Sequence, residues 1–342
     1  MPGLQASSGI LRDPCGEFLK SAPKNTFFPE EVLFAVTSRC NLSCPHCNDL
    51  KSRERLPESA AVNFLRECKK IGIKKAGFTG GEPFLEPDFL YEVISSSVRY
   101  GFKFDRIMTN GVWYKDKSHL LSVLSGLSAS GYDGDICVSV DAFHRQSLKK
   151  LSTFINAAVS LWRRPDIISI ASVRGAKDIE TRKKLKTLAA ILKSRPIGLE
   201  SSRPRISRRG IFIKILYIDL SAVGKASLLK NPWEGKWFTE DYCKGPGNVF
   251  FVMPSGDVKP CCGYASHLDR FTIGNILNDK PMKILKNLRQ NIFLSAVFGS
   301  GLQGIRKKLE KKGTVFPGMT SDHCFFCYYV ATRNFSLPSL LK

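Results

Sequence analysis

With 342 residues, 43% of them hydrophobic, the chain can bury one large core or two modest ones and is not a disordered polymer. No run approaches the roughly 20 apolar residues of a membrane span, and residues 1–9 show no basic segment followed by an apolar one, so a cytoplasmic protein is expected. Lysine and arginine number 52 against 30 acidic residues, a formal charge of +22 that would attract nucleic acid, anionic membrane or acidic peptide, or simply keep a lysine-rich surface solvated. Eleven cysteines are too few for a disulfide scaffold in a chain this long, and their bunching at two places points to metal.

Residues 1–27 read as an extension. Beyond them, short β-rich runs alternate with amphipathic stretches of helical length, the pattern of a parallel sheet. The predicted order is strand 32–37, helix 57–71, strand 75–79, helix 87–99, strand 104–109, helix 116–130, strand 136–140, helix 146–162, strand 167–173, helix 177–193 and strand 212–218. Six such strands are fewer than the eight of a closed barrel, so an α/β fold is expected: a partial (β/α)6 TIM barrel with a crevice at one side. Functional residues should follow the strand ends. The stretch 194–210, with Arg195, Arg203, Arg205, Arg208 and Arg209, reads as an exposed loop, either an anion-binding rim or a solvated linker. Past Asp241 the rhythm stops. A hairpin is expected over 249–258, and a boundary near Asn231 divides a barrel (28–230) from a small C-terminal iron-sulfur domain (231–342).

Directly after the first strand stands Cys40-Asn41-Leu42-Ser43-Cys44-Pro45-His46-Cys47. Thiolates suit zinc or iron-sulfur clusters, and three of them leave one metal position without a protein ligand; His46 would be the fourth ligand of a zinc knuckle. After the second strand comes Thr79-Gly80-Gly81-Glu82-Pro83, after the third Thr109-Asn110-Gly111, and after the fourth Ser139-Val140-Asp141-Ala142-Phe143-His144. Together these resemble the radical S-adenosylmethionine (SAM) enzymes. The resemblance implies that Cys40, Cys44 and Cys47 hold a [4Fe-4S] cluster whose open iron binds SAM, and that a 5'-deoxyadenosyl radical forms and takes a hydrogen atom from substrate. It also implies cofactor contacts from Gly80, Gly81, Glu82, Pro83, Asn110, Ser139 and Asp141, with Glu82 suited to pair with a cationic amine. His144 is expected to pack or cap at a helix start. Val223-Gly224-Lys225-Ala226 resembles a small-residue turn of related enzymes, with Lys where Arg is frequent.

A second group comprises Cys243, Cys261, Cys262, Cys324 and Cys327. The pair Cys324-Phe325-Phe326-Cys327 has metal-site spacing, and structural zinc is the plain alternative. Cys243-Lys244-Gly245-Pro246, Gly256 to Cys262 and Ile273-Gly274-Asn275-Ile276 resemble the SPASM or twitch extensions, which carry auxiliary [4Fe-4S] clusters; the cysteine number here implies one. One fully ligated cluster takes four cysteines. Neighbours in extended backbone point apart, so Cys243, Cys261, Cys324 and Cys327 are assigned as ligands and Cys262 is left over, with an exchange of Cys261 and Cys262 still open. Cys68 and Cys137 read as core residues.

A leftover thiol beside a radical site can return a hydrogen to a carbon radical from the opposite face, and the resemblance implies this in peptide epimerases. The leading expectation is L-to-D inversion in a ribosomally made peptide with Cys262 as hydrogen donor, fed by an external one-electron reductant such as flavodoxin or ferredoxin; Cys262 as a small buried hydrophobe or as the remnant of a third cluster is the alternative. Thioether or carbon-carbon cross-linking, oxidation, a sugar-containing small molecule, and a non-enzymatic basic iron-sulfur protein that binds nucleic acid are the competing readings; the last leaves Glu82 unexplained.

Overall fold

The computed structural model describes residues 27–47, 53–175, 177–240, 243 and 245–333; Cys15 lies outside them. In chain order the elements are β1 (Glu31–Ala35), α1 (Glu58–Lys70), β2 (Lys75–Thr79), α2 (Pro87–Arg99), β3 (Lys103–Thr109), α3 (Lys117–Ala129), β4 (Asp135–Ser139), α4 (Leu148–Trp162), β5 (Ile168–Arg174) and α5 (Asp178–Ile191). Then follow β6 (Arg195–Ile197), β7 (Arg205–Arg208), β8 (Ile211–Asp219), β9 (Val249–Val252), β10 (Asp257–Lys259), β11 (Gly274–Asn275), α6 (Pro281–Arg289), α7 (Ile292–Ser300), α8 (Leu302–Lys311) and α9 (His323–Thr332). Pro87 opens α2 at a position where its missing N–H costs nothing, and Asp116 and Ser147 cap α3 and α4 by accepting from His119 and Lys150 backbone N–H groups.

The strands form one eleven-stranded sheet in the order β11-β10-β9-β1-β2-β3-β4-β5-β8-β7-β6. β1 to β5 and β8 run parallel, each to the next, as the alternating pattern requires. Two departures from the sequence reading matter. Residues 194–210 are not a loop: Arg195–Ile197 and Arg205–Arg208 extend the sheet beyond β8 in antiparallel fashion. At the other edge β9 lies parallel to β1, Glu31 opposite Val249, so the C-terminal hairpin β9–β10 continues the barrel's own sheet.

The core lies between sheet and helices. Phe64, Leu65 and Cys68 of α1, Phe89, Leu90, Val93 and Ile94 of α2, and Leu151, Phe154 and Ile155 of α4 are buried at helical spacing against Phe34, Phe78, Ile107 and Ile136. Cys68 and Cys137 are fully buried, as expected of core thiols, and burial pushes the Cys137 thiol up to about 12.

Candidate active site and metal centres

The strand ends enclose a cavity of about 560 Å³. Its wall includes all three cysteines of the first loop, the Gly80-Gly81 pair, Asn110, Ser139 and Asp141, and, from the C-terminal part, Cys262 and Cys324.

The Cys loop is held by backbone. Val36 N donates to Thr79 O at 2.9 Å, Gly81 N to Thr37 O at 2.7 Å and Glu82 N to Arg39 O at 2.8 Å. This zipper explains both glycines. Gly80 has φ +127°, outside the reach of L side chains, and a Cβ on Gly81 would lie 2.2 Å from the Arg39 carbonyl oxygen. The close approach they permit is therefore to the strand that delivers Cys40. Asn110 Nδ2 donates to Asn41 Oδ1 at 2.8 Å and lies 3.8 Å from Cys40 Sγ, which ties the end of β3 to the same loop. Gln146, which the sequence reading missed, bridges two strand ends by donating to Asn110 O (2.7 Å) and Ser139 O (2.9 Å).

Glu82 is placed behind the cavity wall with Pro83, both buried. Its carboxylate accepts from Thr109 Oγ1 (2.8 Å), Asn110 N (2.8 Å) and Phe84 N (3.2 Å). Burial pushes its pKa up to about 7 against the pull of those three donors. In this arrangement Glu82 joins the second and third strand ends and is not part of the cavity wall.

His144, expected to cap or pack, precedes the cap of α4 and lines the cavity. Its Nδ1 lies 2.9 Å from Asp141 Oδ1, and its ring stands edge-on to His46 at 4.8 Å. Burial works against charge on Asp141, yet the His144 hydrogen bond, the neighbouring histidines and Val173 N–H hold it below its usual range. Burial first, then His144, bring His46 down to about 4. The ligand atoms of His46, Asp141 and His144 lie within 4.8 Å of one another. Both Asp141 oxygens already accept, from Phe143 N, His144 N and His144 Nδ1 on one and Val173 N on the other, which suits a hydrogen-bond network better than an ion. His46 Nδ1 is buried with no hydrogen-bond partner among the described residues, the kind of orphan that a bound ligand satisfies. Val223 to Ala226 forms the start of a 3-10 turn after β8 and carries no cavity contact.

In the second group, four sulfurs gather and one stands apart. Gly245 and Gly263 sit between them: a Cβ on Gly263 would lie 2.9 Å from Cys324 Sγ and 3.8 Å from Cys261 Sγ, and one on Gly245 would lie 3.6 Å from Cys243 Sγ. Burial pushes the Cys324 and Cys327 thiols up, with Cys243 and Cys261 adding to the effect on both. Cys262 is exposed, on the cavity wall, which removes the buried-hydrophobe reading for it. The Cys324-Cys327 pair rides on α9, whose N-cap is Asp322: one carboxylate oxygen accepts from Cys324 N at 3.2 Å, the other from Phe325 N at 2.8 Å and from Ser221 Oγ at 2.6 Å. Asp322 was also missed, although Ser321-Asp322 directly before an apolar run is an N-terminal helix signal. The donor chemistry of both groups fits iron-sulfur clusters: soft thiols, three on one loop beside a cavity and four converging elsewhere.

Comparison with known proteins agrees. The chain matches the Radical SAM superfamily over residues 34–161 and the iron-sulfur cluster-binding SPASM domain over residues 243–308. The chain thus carries a Radical SAM domain and a C-terminal SPASM domain, which imply SAM, a [4Fe-4S] cluster and auxiliary iron-sulfur as its cofactors. It is 22% identical to the putative peptide biosynthesis protein YydG of Bacillus subtilis over 88% of this chain and 91% of that one. To the PqqA peptide cyclase of Xanthomonas campestris it is 25% identical over 68% of this chain and 67% of that one. To a probable GTP 3',8-cyclase of Methanopyrus kandleri it is 35% identical over 42% of this chain, which spans only 41% of that protein's length. A solved structure described as native anSMEcpe with bound AdoMet and Cp18Cys peptide shares the fold, with TM-score 0.52 and 14% identity over 92% of this chain and 98% of that one. No helix among the described residues is long and apolar enough to cross a membrane.

Proposed function

We propose that the protein is a peptide maturase that inverts L-residues to D, with Cys262 as the hydrogen donor. The observation that carries this reading is the separation of the two adjacent thiols: Cys261 lies among Cys243, Cys324 and Cys327, while Cys262 faces the cavity that the Cys40, Cys44 and Cys47 loop also lines. The likeness to peptide-acting relatives supports a peptide substrate.

In this reading Cys40, Cys44 and Cys47 hold the cluster that binds SAM, and Cys243, Cys261, Cys324 and Cys327 hold one auxiliary cluster. When bound, the first cluster and SAM supply a carbon radical able to remove a hydrogen atom from a C–H bond. The chain does the rest. The apolar walls from β5 and β8, Ala171, Leu216 and Ile218, exclude water from the reacting residue. Cys262 gives its sulfur-bound hydrogen to the substrate carbon from the far side, and one external electron with one proton, delivered by a flavodoxin- or ferredoxin-type reductant, restores the thiol. Incubation in deuterium oxide should place one deuterium in each inverted residue. Cys262→Ala should abolish inversion while 5'-deoxyadenosine release and iron content persist. Unlabelled D-product would exclude an exchangeable thiol as the donor, and a product lighter by two hydrogens would point instead to oxidation or cross-linking.

A further inference from the structure

The antiparallel strands β6 and β7 lie beyond the last barrel strand and have no part in enclosing the cavity. Strand alternation sorts their side chains. Leu216 and Ile218 of β8 line the cavity, so Lys214 and Phe212 share that face. The register carries it outward: Lys214 pairs with Arg205, Phe212 with Ser207, and then Arg205 with Ile197 and Ser207 with Arg195. The opposite face is packed, with Ile206, Ile211, Ile213 and Ile215 buried and Arg208 donating to Asn156 of α4. The cavity-side face is open. Phe212 and Ile197 are 37% and 38% exposed, Arg195 and Lys214 are exposed, and Arg205 is half-buried. Among the described residues none of these three cations has an ion-pair partner; Asp135 is the acid felt by Lys214, at the deep end.

We propose that this face is the docking track of the substrate: an extended, acidic peptide segment that presents carboxylates and apolar side chains in turn on one face lies across β8, β7 and β6 and leads the reacting residue over Leu216 and Ile218 into the cavity. The proposal rests on the peptide reading and names its substrate class. Charge complementarity selects the occupant, because a second copy of a chain of charge +22 is repelled from a basic face. Strands about 4.8 Å apart set Lys214, Arg205 and Ile197 in one row across the sheet and Phe212, Ser207 and Arg195 in a second row about 6.6 Å away, so a peptide lying over them meets cations and apolar side chains on one face. A nucleic-acid backbone would use the cations and leave Ile197 without a role.

The test is fluorescence anisotropy with the full chain and three labelled probes: a decapeptide with Glu and Leu taking turns at every second position and Ser between them, its Lys/Leu counterpart and a 20-nucleotide single strand. Wild type should bind the Glu/Leu peptide, weakening as salt rises. Arg195→Glu/Arg205→Glu should weaken it at least tenfold and gain binding of the Lys/Leu peptide, a swap that misfolding does not produce. Phe212→Ser should weaken the Glu/Leu peptide several-fold without changing its salt dependence. Unchanged affinity in the double variant, or displacement of the peptide by a tighter-binding oligonucleotide, overturns the docking track. Neither result bears on whether a peptide is inverted, which the deuterium experiment reads separately.

Discussion

Glu82 concentrates the tension between burial and charge in this site. Replacing it by Gln keeps the volume but turns one of its two accepting oxygens into an amide donor, facing either Thr109 and Phe84 or the Asn110 N–H, a cost of about 1–3 kcal/mol. Its pKa is 4.5 before burial and about 7 in the folded chain, so folding takes up a proton between those values. The stability of the cofactor-free protein should therefore fall by up to about 3 kcal/mol as pH rises from 4.5 to 7 and then level off. Urea unfolding at several pH values checks this, and the Glu82→Gln variant should lack that component of the slope. The residue types at the site were legible in the sequence because thiols, glycines and carboxylates at strand ends carry recognisable chemistry. Their connections were less so. Glu82 reads as a group aimed at a ligand, yet it accepts from the next strand end, and only the spatial neighbours Thr109 and Asn110 reveal that. Backbone alternation indicates in the sequence that Cys261 and Cys262 point apart, but which of the two joins Cys243, Cys324 and Cys327 stays open at that level.

The α9 helix is a second lever, since its N-terminal half holds two thiols of the C-terminal group and its cap reaches Ser221 at the end of the barrel. Asp322→Ala should destabilise the protein by about 0.5–2 kcal/mol and lower auxiliary iron, whereas Asp322→Asn, itself a good cap, should retain most of both; thermal unfolding and iron per chain are the measurements. The barrel helices and strands were readable to within about two residues because each has a clear apolar period. The β6–β7 pair was not. Its run of arginines suppresses the alternation signal, and a three-residue strand such as Arg195–Ile197 is formed by its partner. The Arg209-Gly210 turn before the alternating Ile211–Asp219 run was the available clue, with Gly210 at φ +80°.

For the whole molecule, the decisive contact is β9 beside β1. Ending the chain after Glu240 would leave the first strand with an open edge, because Glu31 to Phe34 pair with Val249 to Val252. A 1–240 fragment should aggregate or melt at least about 10 °C lower than the full chain, checked by light scattering and circular dichroism. Composition gave no hint of this joint, since a buried four-residue run such as Val-Phe-Phe-Val fits either a separate small domain or an added barrel strand.

That seam also sets a timetable. Ribosomes deliver roughly 5–20 residues each second, so the strand at Glu31 is made about 10 s or more before its partner at Val249 exists. During that interval the nascent barrel resembles an unbuttoned garment, open to pairing with a neighbour on the same messenger. Faster passage through the residues between the two strands, or a chaperone occupying the gap, would shorten or cover that exposure.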